Sequence, residues 1–109
     1  MVEQGDIIKI NMNPQLGSEQ AGYRPAIVVS NNRLNSVSKV VIVCPITSTI
    51  RNYPTHIKLV PGMATRGEVM CEQIKALDLT VRPFTFIEKA PDDIMTEVSE
   101  TLKYVIEFS

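Results

Sequence analysis

The chain has 109 residues, 44% of them hydrophobic, with a formal net charge of −1; this suits a single domain spanning 1–109 with a modest core. Its longest apolar run, residues 40–44, falls far short of the roughly 20 apolar residues a membrane-spanning helix needs, and the first six residues (MVEQGD) lack the basic and apolar regions of a signal peptide, so a cytoplasmic location is expected. Near-neutral charge argues against an extended polyanion-binding track, although the charge is uneven: residues 88–109 carry six carboxylates against two lysines, leaving the excess of cations in residues 1–87.

In chain order, residues 6–12 alternate, with Ile8, Ile10 and Met12 on one side and Lys9 and Asn11 on the other, the pattern of a half-buried strand. Residues 13–22 (NPQLGSEQAG) are turn formers and polar groups, a loop long enough to suggest function. A β-branched strand follows over 25–30, then a polar stretch over 31–38 with room for a helical turn. Residues 39–46 (KVVIVCPI) read as a central strand that Pro45 interrupts. Polar residues 47–54 form a loop, residues 55–60 alternate as a strand, and residues 61–67 form another loop. Residues 68–77 read as a strand with a bend, and 78–83 as a turn or short helix. After Pro91 the period changes: Ile94, Val98, Leu102 and Ile106 are spaced by four, one face of an amphipathic helix whose first turn carries Asp92 and Asp93. About five short strands and a closing helix point to a mainly β fold with α: a small, bent antiparallel sheet or barrel with the helix packed on it.

Two windows carry chemistry. Arg24 stands at the end of the polar loop and the start of a rigid strand, where Pro25 holds it extended. A fixed guanidinium there suits phosphate or oxyanion stabilisation, and equally a surface ion pair with Glu19. Thr47, Ser48 and Thr49 follow the central strand, where hydroxyls can bind a phosphate oxygen or cap a turn. The single histidine, His56, excludes a two-histidine RNA transesterification within one chain and reads as a surface or groove residue. Cys44 and Cys71 read as buried, reduced thiols, and no Cys or His spacing suggests a zinc site.

The Gly5-Asp6-Ile7 start, the block GSEQAGYRPAIVVS over 17–30, the turn Pro45-Ile46-Thr47-Ser48 and the segment EQIKAL over 72–77 resemble, in order and spacing, the MazF/PemK family of toxins. The resemblance implies an SH3-like small β-barrel with a C-terminal amphipathic helix, assembled as a homodimer. It implies an endoribonuclease that needs no metal or other cofactor. The ribose 2′-OH attacks the adjacent phosphate of single-stranded RNA, leaving a 2′,3′-cyclic phosphate and a 5′-OH. On this chain the family's catalytic groups fall on Arg24, Thr47 and Glu19: Arg24 stabilises the charged phosphorus and is available to protonate the leaving 5′ oxygen, Thr47 binds the phosphate, and Glu19 assists deprotonation of the 2′-OH. Gly17, Ser18 and Gln20 are placed to read bases and Tyr23 to stack, with Ser48, Gln73 and Lys75 as further RNA contacts. In some relatives an Arg and an Asp on the strand before the Gln carry the chemistry; here those places hold Met70 and Glu72, and Glu72 is assigned to the fold or the groove. The family also implies a cognate antitoxin, with a flexible acidic and apolar segment that covers the groove.

A gyrase poison built on the same barrel is the alternative. That activity depends on a C-terminal tip with a tryptophan, and this chain has none. A non-catalytic peptide-binding adaptor would need neither Arg24 nor Thr47 and favours more aromatic residues than 6%.

Overall fold

The computed structural model describes residues 1–12 and 22–108. Seven strands, β1 (Asp6–Asn11), β2 (Tyr23–Val28), β3 (Val40–Thr47), β4 (His56–Lys58), β5 (Glu68–Met70), β6 (Lys75–Asp78) and β7 (Phe84–Lys89), form one antiparallel sheet in the order β4-β5-β3-β2-β1-β7, with β6 on β3. Helix α1 (Asn32–Val37) joins β2 to β3, and α2 (Asp92–Ile106) closes the chain. Among the described residues no strand pairing joins β4 to β7, so the expected small barrel is an open, bent sheet rather than a closed one.

Pro45 does not end the central strand. It pairs with Ala26 of β2, and β3 continues to Thr47. The other edge explains the tolerance. There β3 pairs with β6 through Val40, Val41, Ile42 and Val43, then with β5 through Ile46 and Thr47, leaving Cys44 and Pro45 between the two partners. A residue without an N–H costs the ladder least at such a gap. The bend expected within 68–77 is the 3-10 turn Cys71–Gln73, which carries the chain from β5 to β6. Strand β7 had no counterpart among the expected elements. Its residues are half-exposed, and pairing with β1, through a register shift at Ile7 and Ile8, makes them a strand.

Strict alternation sorts the core into two layers. Ile7, Ile27, Cys44, Ile46, Ile57 and Val69 lie on one face, where Ile94 and Val98 of α2 pack against them. Ile8, Ile10, Ala26, Val28, Val41 and Val43 form the second cluster on the other face. Burying the sheet on both sides explains why the adjacent Ile7 and Ile8 are equally buried. Each such side chain contributes about 1.5–3 kcal/mol. The helix begins as its sequence suggested, with Pro91 at the N-cap and Asp92 and Asp93 in the first turn. Its apolar face outruns the core, however, and Ile106 is exposed. No helix among the described residues is long and apolar enough to cross a membrane.

The loop of residues 59–67 is pressed against the end of β3. Glu88 of β7 accepts hydrogen bonds from the backbone N–H groups of Ala64 and Thr65 and from the Thr65 hydroxyl. Gly67 then passes so close to Thr47 that a Cβ would stand 1.9 Å from the Thr47 carbonyl oxygen, and its φ of +117° is itself unfavourable for any other residue. Gly67→Ala is therefore expected to cost about 2–4 kcal/mol of stability, read as a lower urea midpoint with an unchanged slope. An unchanged midpoint would show that the loop is not held against β3.

Candidate active site

The β2–β3 register carries the site. Ala26 stands opposite Pro45 at the end of the pairing, and alternation puts Arg24 and Thr47, each two residues further along its strand, on the same face of the sheet. The next pairings extend this row. Thr47 is opposite Glu68, and Met70, two residues along β5 from Glu68, is opposite His56. Arg24, Thr47, Glu68, Met70 and His56 therefore share one face, while Ile27, Ile46, Val69 and Ile57 share the opposite face, beneath α2.

This row borders a cavity of about 420 Å³, lined by Arg24, Thr47, Ser48, Thr49, Arg51, Tyr53, His56, Met70, Glu72 and Gln73. Four of the residues expected from the sequence, Arg24, Thr47, Ser48 and Gln73, thus meet although they come from three separate segments. Tyr23 and Lys75 do not line the cavity; Tyr23 is exposed beside it, paired with Asn11, and Lys75 pairs with Val43 on β6. Gly17, Ser18, Glu19 and Gln20 lie outside the described residues. The Gln73 side-chain oxygen is buried and finds no hydrogen-bond partner among the described residues, which leaves an acceptor in the cavity wall for a donor on a ligand.

The sequence reading missed the network behind this wall. His56, expected at the surface or in the groove, borders the cavity but is buried, its side chain 1% exposed. Its Nδ1 lies 2.8 Å from Oε1 of Glu68, and its Nε2 lies 2.9 Å from Oε2 of Glu72. Glu68 is fully buried and also accepts hydrogen bonds from the backbone N–H groups of Arg51 and Asn52. These bonds fold the loop after β3 over the carboxylate, with Asn52 taking the left-handed conformation that Asn tolerates better than most residues. Glu72 is held from the other side by the Thr55 hydroxyl, at 2.7 Å. Tyr53 tilts against the His56 ring, their centroids 4.9 Å apart. No single spacing signals this cluster: β4, β5 and the turn after β5 supply its members, and only strand pairing unites them.

The protonation states follow from the contacts. Burial disfavours charge on His56, but hydrogen bonds to Glu68 and Glu72 more than offset it and raise its pKa above the ordinary imidazole value. Burial likewise opposes the Glu68 carboxylate, yet the bonds from His56, Arg51 and Asn52 hold its pKa below the usual range. For Glu72, burial is outweighed by the Thr55 and His56 bonds, with the same result. Because both ring nitrogens of His56 are engaged by carboxylates, neither points out to ligate a cation, and no group of three or more His, Cys, Asp or Glu among the described residues offers a metal site. Cys44 and Cys71 are free and buried, consistent with inert thiols.

The sequence profile of "PemK-like, MazF-like toxin of type II toxin-antitoxin system" matches residues 3–106. The chain belongs to this family. It is 32% identical to endoribonuclease EndoA of Bacillus subtilis (strain 168), over 94% of this chain and 92% of that protein. The crystal structure of MazF from Deinococcus radiodurans superposes with a TM-score of 0.91 at 31% identity, covering 98% of this chain and 97% of that one. A MazE–MazF structure from the same organism matches with a TM-score of 0.86 at 31% identity, over 99% of this chain and 97% of that one. These likenesses support the toxin fold and lend nothing to the gyrase-poison alternative.

The sign of the pH dependence follows from the shifts. A raised His56 pKa stabilises the fold fully below the ordinary imidazole value of 6.5 and ceases to as pH rises through the raised value. Lowered Glu68 and Glu72 pKa values stabilise it above 4.5 and cease to as pH falls through the lowered values. The native chain should therefore exceed Glu68→Gln in urea midpoint most between about 4.5 and 6.5, with the gap narrowing on either side. A gap independent of pH would contradict the charged network.

Proposed function

We propose that this toxin is an endoribonuclease that cleaves single-stranded RNA at short recognition sequences, in the cytoplasm, without a metal, by attack of the ribose 2′-OH on the adjacent phosphorus. The observation that carries the reading is the convergence of Arg24 and Thr47 on one face of the sheet, at the rim of a cavity of a size to take a nucleotide. A guanidinium and a hydroxyl fixed on adjacent strands form a rigid donor set for the phosphate oxygens, and the guanidinium keeps its charge at all working pH.

In the reaction the 2′ oxygen bonds to phosphorus as its proton passes to a carboxylate. The P–O5′ bond then breaks and the leaving oxygen takes up a proton from Arg24, by resemblance to the family, which water then restores. The products are a 2′,3′-cyclic phosphate and a 5′-OH. Arg24 stabilises the charge that gathers on the phosphorus oxygens, and Thr47 fixes their geometry. The proton acceptor is Glu19 by resemblance to the family, and Glu72 is the carboxylate that lines the cavity itself. The unpartnered Gln73 oxygen suits a base N–H or a 2′-OH of the substrate. Ser48 faces the same cavity, while Tyr23 and Lys75 are placed for RNA further along the strand, and Gly17, Ser18 and Gln20 read bases by resemblance to the family. A homodimer and a cognate antitoxin with an acidic, apolar segment complete the reading; a relative solved as MazE–MazF supports the antitoxin.

Incubating a long single-stranded RNA with the antitoxin-free protein in EDTA tests this. Site-specific cuts with cyclic-phosphate ends are expected. Arg24→Ala and Thr47→Ala should each slow them roughly 100- to 1,000-fold. A folded protein that leaves the RNA intact would sink the ribonuclease reading. In the same assay, a large loss in Glu19→Gln and none in Glu72→Gln would assign the proton to Glu19, and the reverse to Glu72.

A further inference from the structure

The arrangement around His56 does more than the cleavage chemistry requires. An ionised carboxylate only accepts hydrogen bonds, and a neutral imidazole has one N–H to donate. His56 meets a carboxylate oxygen at each nitrogen, 2.8 Å to Glu68 and 2.9 Å to Glu72. Glu68 is kept an acceptor by the two backbone N–H groups that also point at it, and Glu72 is kept ionised, against its burial, by the Thr55 and His56 hydrogen bonds that hold its pKa below the usual range. Only the imidazolium satisfies both contacts. The cluster then carries two negative charges and one positive, set into the wall of the cavity that holds Arg24 and Arg51. A neutral His56 would remove the positive charge that lies between the two carboxylates and leave one of its nitrogens facing an oxygen lone pair.

We propose that His56, anchored by Glu68, is a proton-linked positioning residue: its imidazolium orients Glu72 and balances the charge of the cavity, so that His56 protonation and binding of the RNA phosphate each favour the other. The inference rests on the reading of this cavity as the RNA site. Linkage makes the effect reciprocal. An anion in the cavity stabilises the imidazolium, and the imidazolium strengthens the cavity's hold on the anion. The charged and titratable groups around His56 fit this role. Glu68 comes from β5, Glu72 and its tether Thr55 from the turn after β5 and the loop before β4, and Tyr53 and Arg51 from that same loop. Arg24 faces in from β2. Helix α2 brings apolar side chains to the core that holds Ile57: Ile94 and Val98 buried, with Met95, Leu102 and Val105 partly so. Deprotonation of His56 is thus the event that changes the cavity's charge on the alkaline side of the ordinary imidazole range.

The chain has one histidine, so its ring signals in an NMR titration are unambiguous. The titration is run on the native protein alone, then saturated with a 2′-O-methyl copy of the oligonucleotide it cuts, which blocks the attacking oxygen. The midpoint should lie above the ordinary imidazole value in the free protein and rise again with the analogue. A rise of about one pH unit would mean that RNA affinity falls about tenfold across the titration. Cleavage should show the same midpoint, KM rising with pH through it. Glu68→Gln keeps the shape of the buried group, and in it both the ring titration and the alkaline limb of kcat/KM should move to lower pH together. A His56→Gln protein that melts cooperatively should lose that limb. A purely structural histidine would alter melting but leave the midpoint indifferent to RNA. If the native protein cuts RNA while the analogue does not move the midpoint, the linkage is wrong and the ribonuclease reading stands. If the native protein neither cuts nor binds RNA, both fall.

Discussion

The pairing of β2 with β3 is the constraint on which the site depends. With Ala26 opposite Pro45, the side chains of Arg24 and Thr47 fall on one face, and Ile27 and Ile46 on the other. A slip of one residue would send one of the polar pair into the apolar layer beneath α2 and bring an isoleucine to the cavity. Because each strand is buried on both faces, that slip is strongly disfavoured. The core that stabilises the fold is thus also what holds the arginine beside the threonine.

The exchange of partners along β3 makes room for everything else. Where β6 leaves off and β5 takes over, the chain spends residues 71–73 in a tight turn instead of a strand, and that turn delivers Glu72 and Gln73 to the cavity. The short strands β4 and β5 have little extent of their own. They are tied in by Ile57 and Val69 in the core on one face and by the His56–Glu68 contact on the other. Removing a buried charge from such a pair strands its partner, so the network holds together as a unit. Its electrostatics fit the proposed RNA site on a chain of net charge −1: the cations lining the cavity are few, and the two carboxylates near them are half offset by an imidazolium.

Much of the architecture was legible in the sequence because it rests on local pattern. The alternating segments at 6–12 and 55–60, the β-branched run at 25–30 and the period-four face after Pro91 are each visible within one element. Segments whose burial depends on a distant partner were not legible. Phe84, Phe86 and Ile87 are too exposed to announce a strand, and β1 makes them one. Pro45 reads as a break until the gap on the far edge of β3 is known. Arg24, Thr47, Ser48 and Gln73 could be named because their types and order match a family. His56 could not, since its chemistry depends on Glu68 and Glu72, which lie 12 and 16 residues away.

By itself the sequence determined most of the elements and the closing helix, which depend on the spacing of near neighbours, and by resemblance it pointed to the family and to the arginine and threonine proposed for the site. Tertiary structure alone decided which strands meet, that the sheet stays open, that β3 passes through a proline, and that the lone histidine is buried between two carboxylates. The physical reason is the same in each case. Hydrogen-bond register and buried charge are properties of groups far apart in the chain, and no periodicity within a window of ten or fifteen residues can encode them.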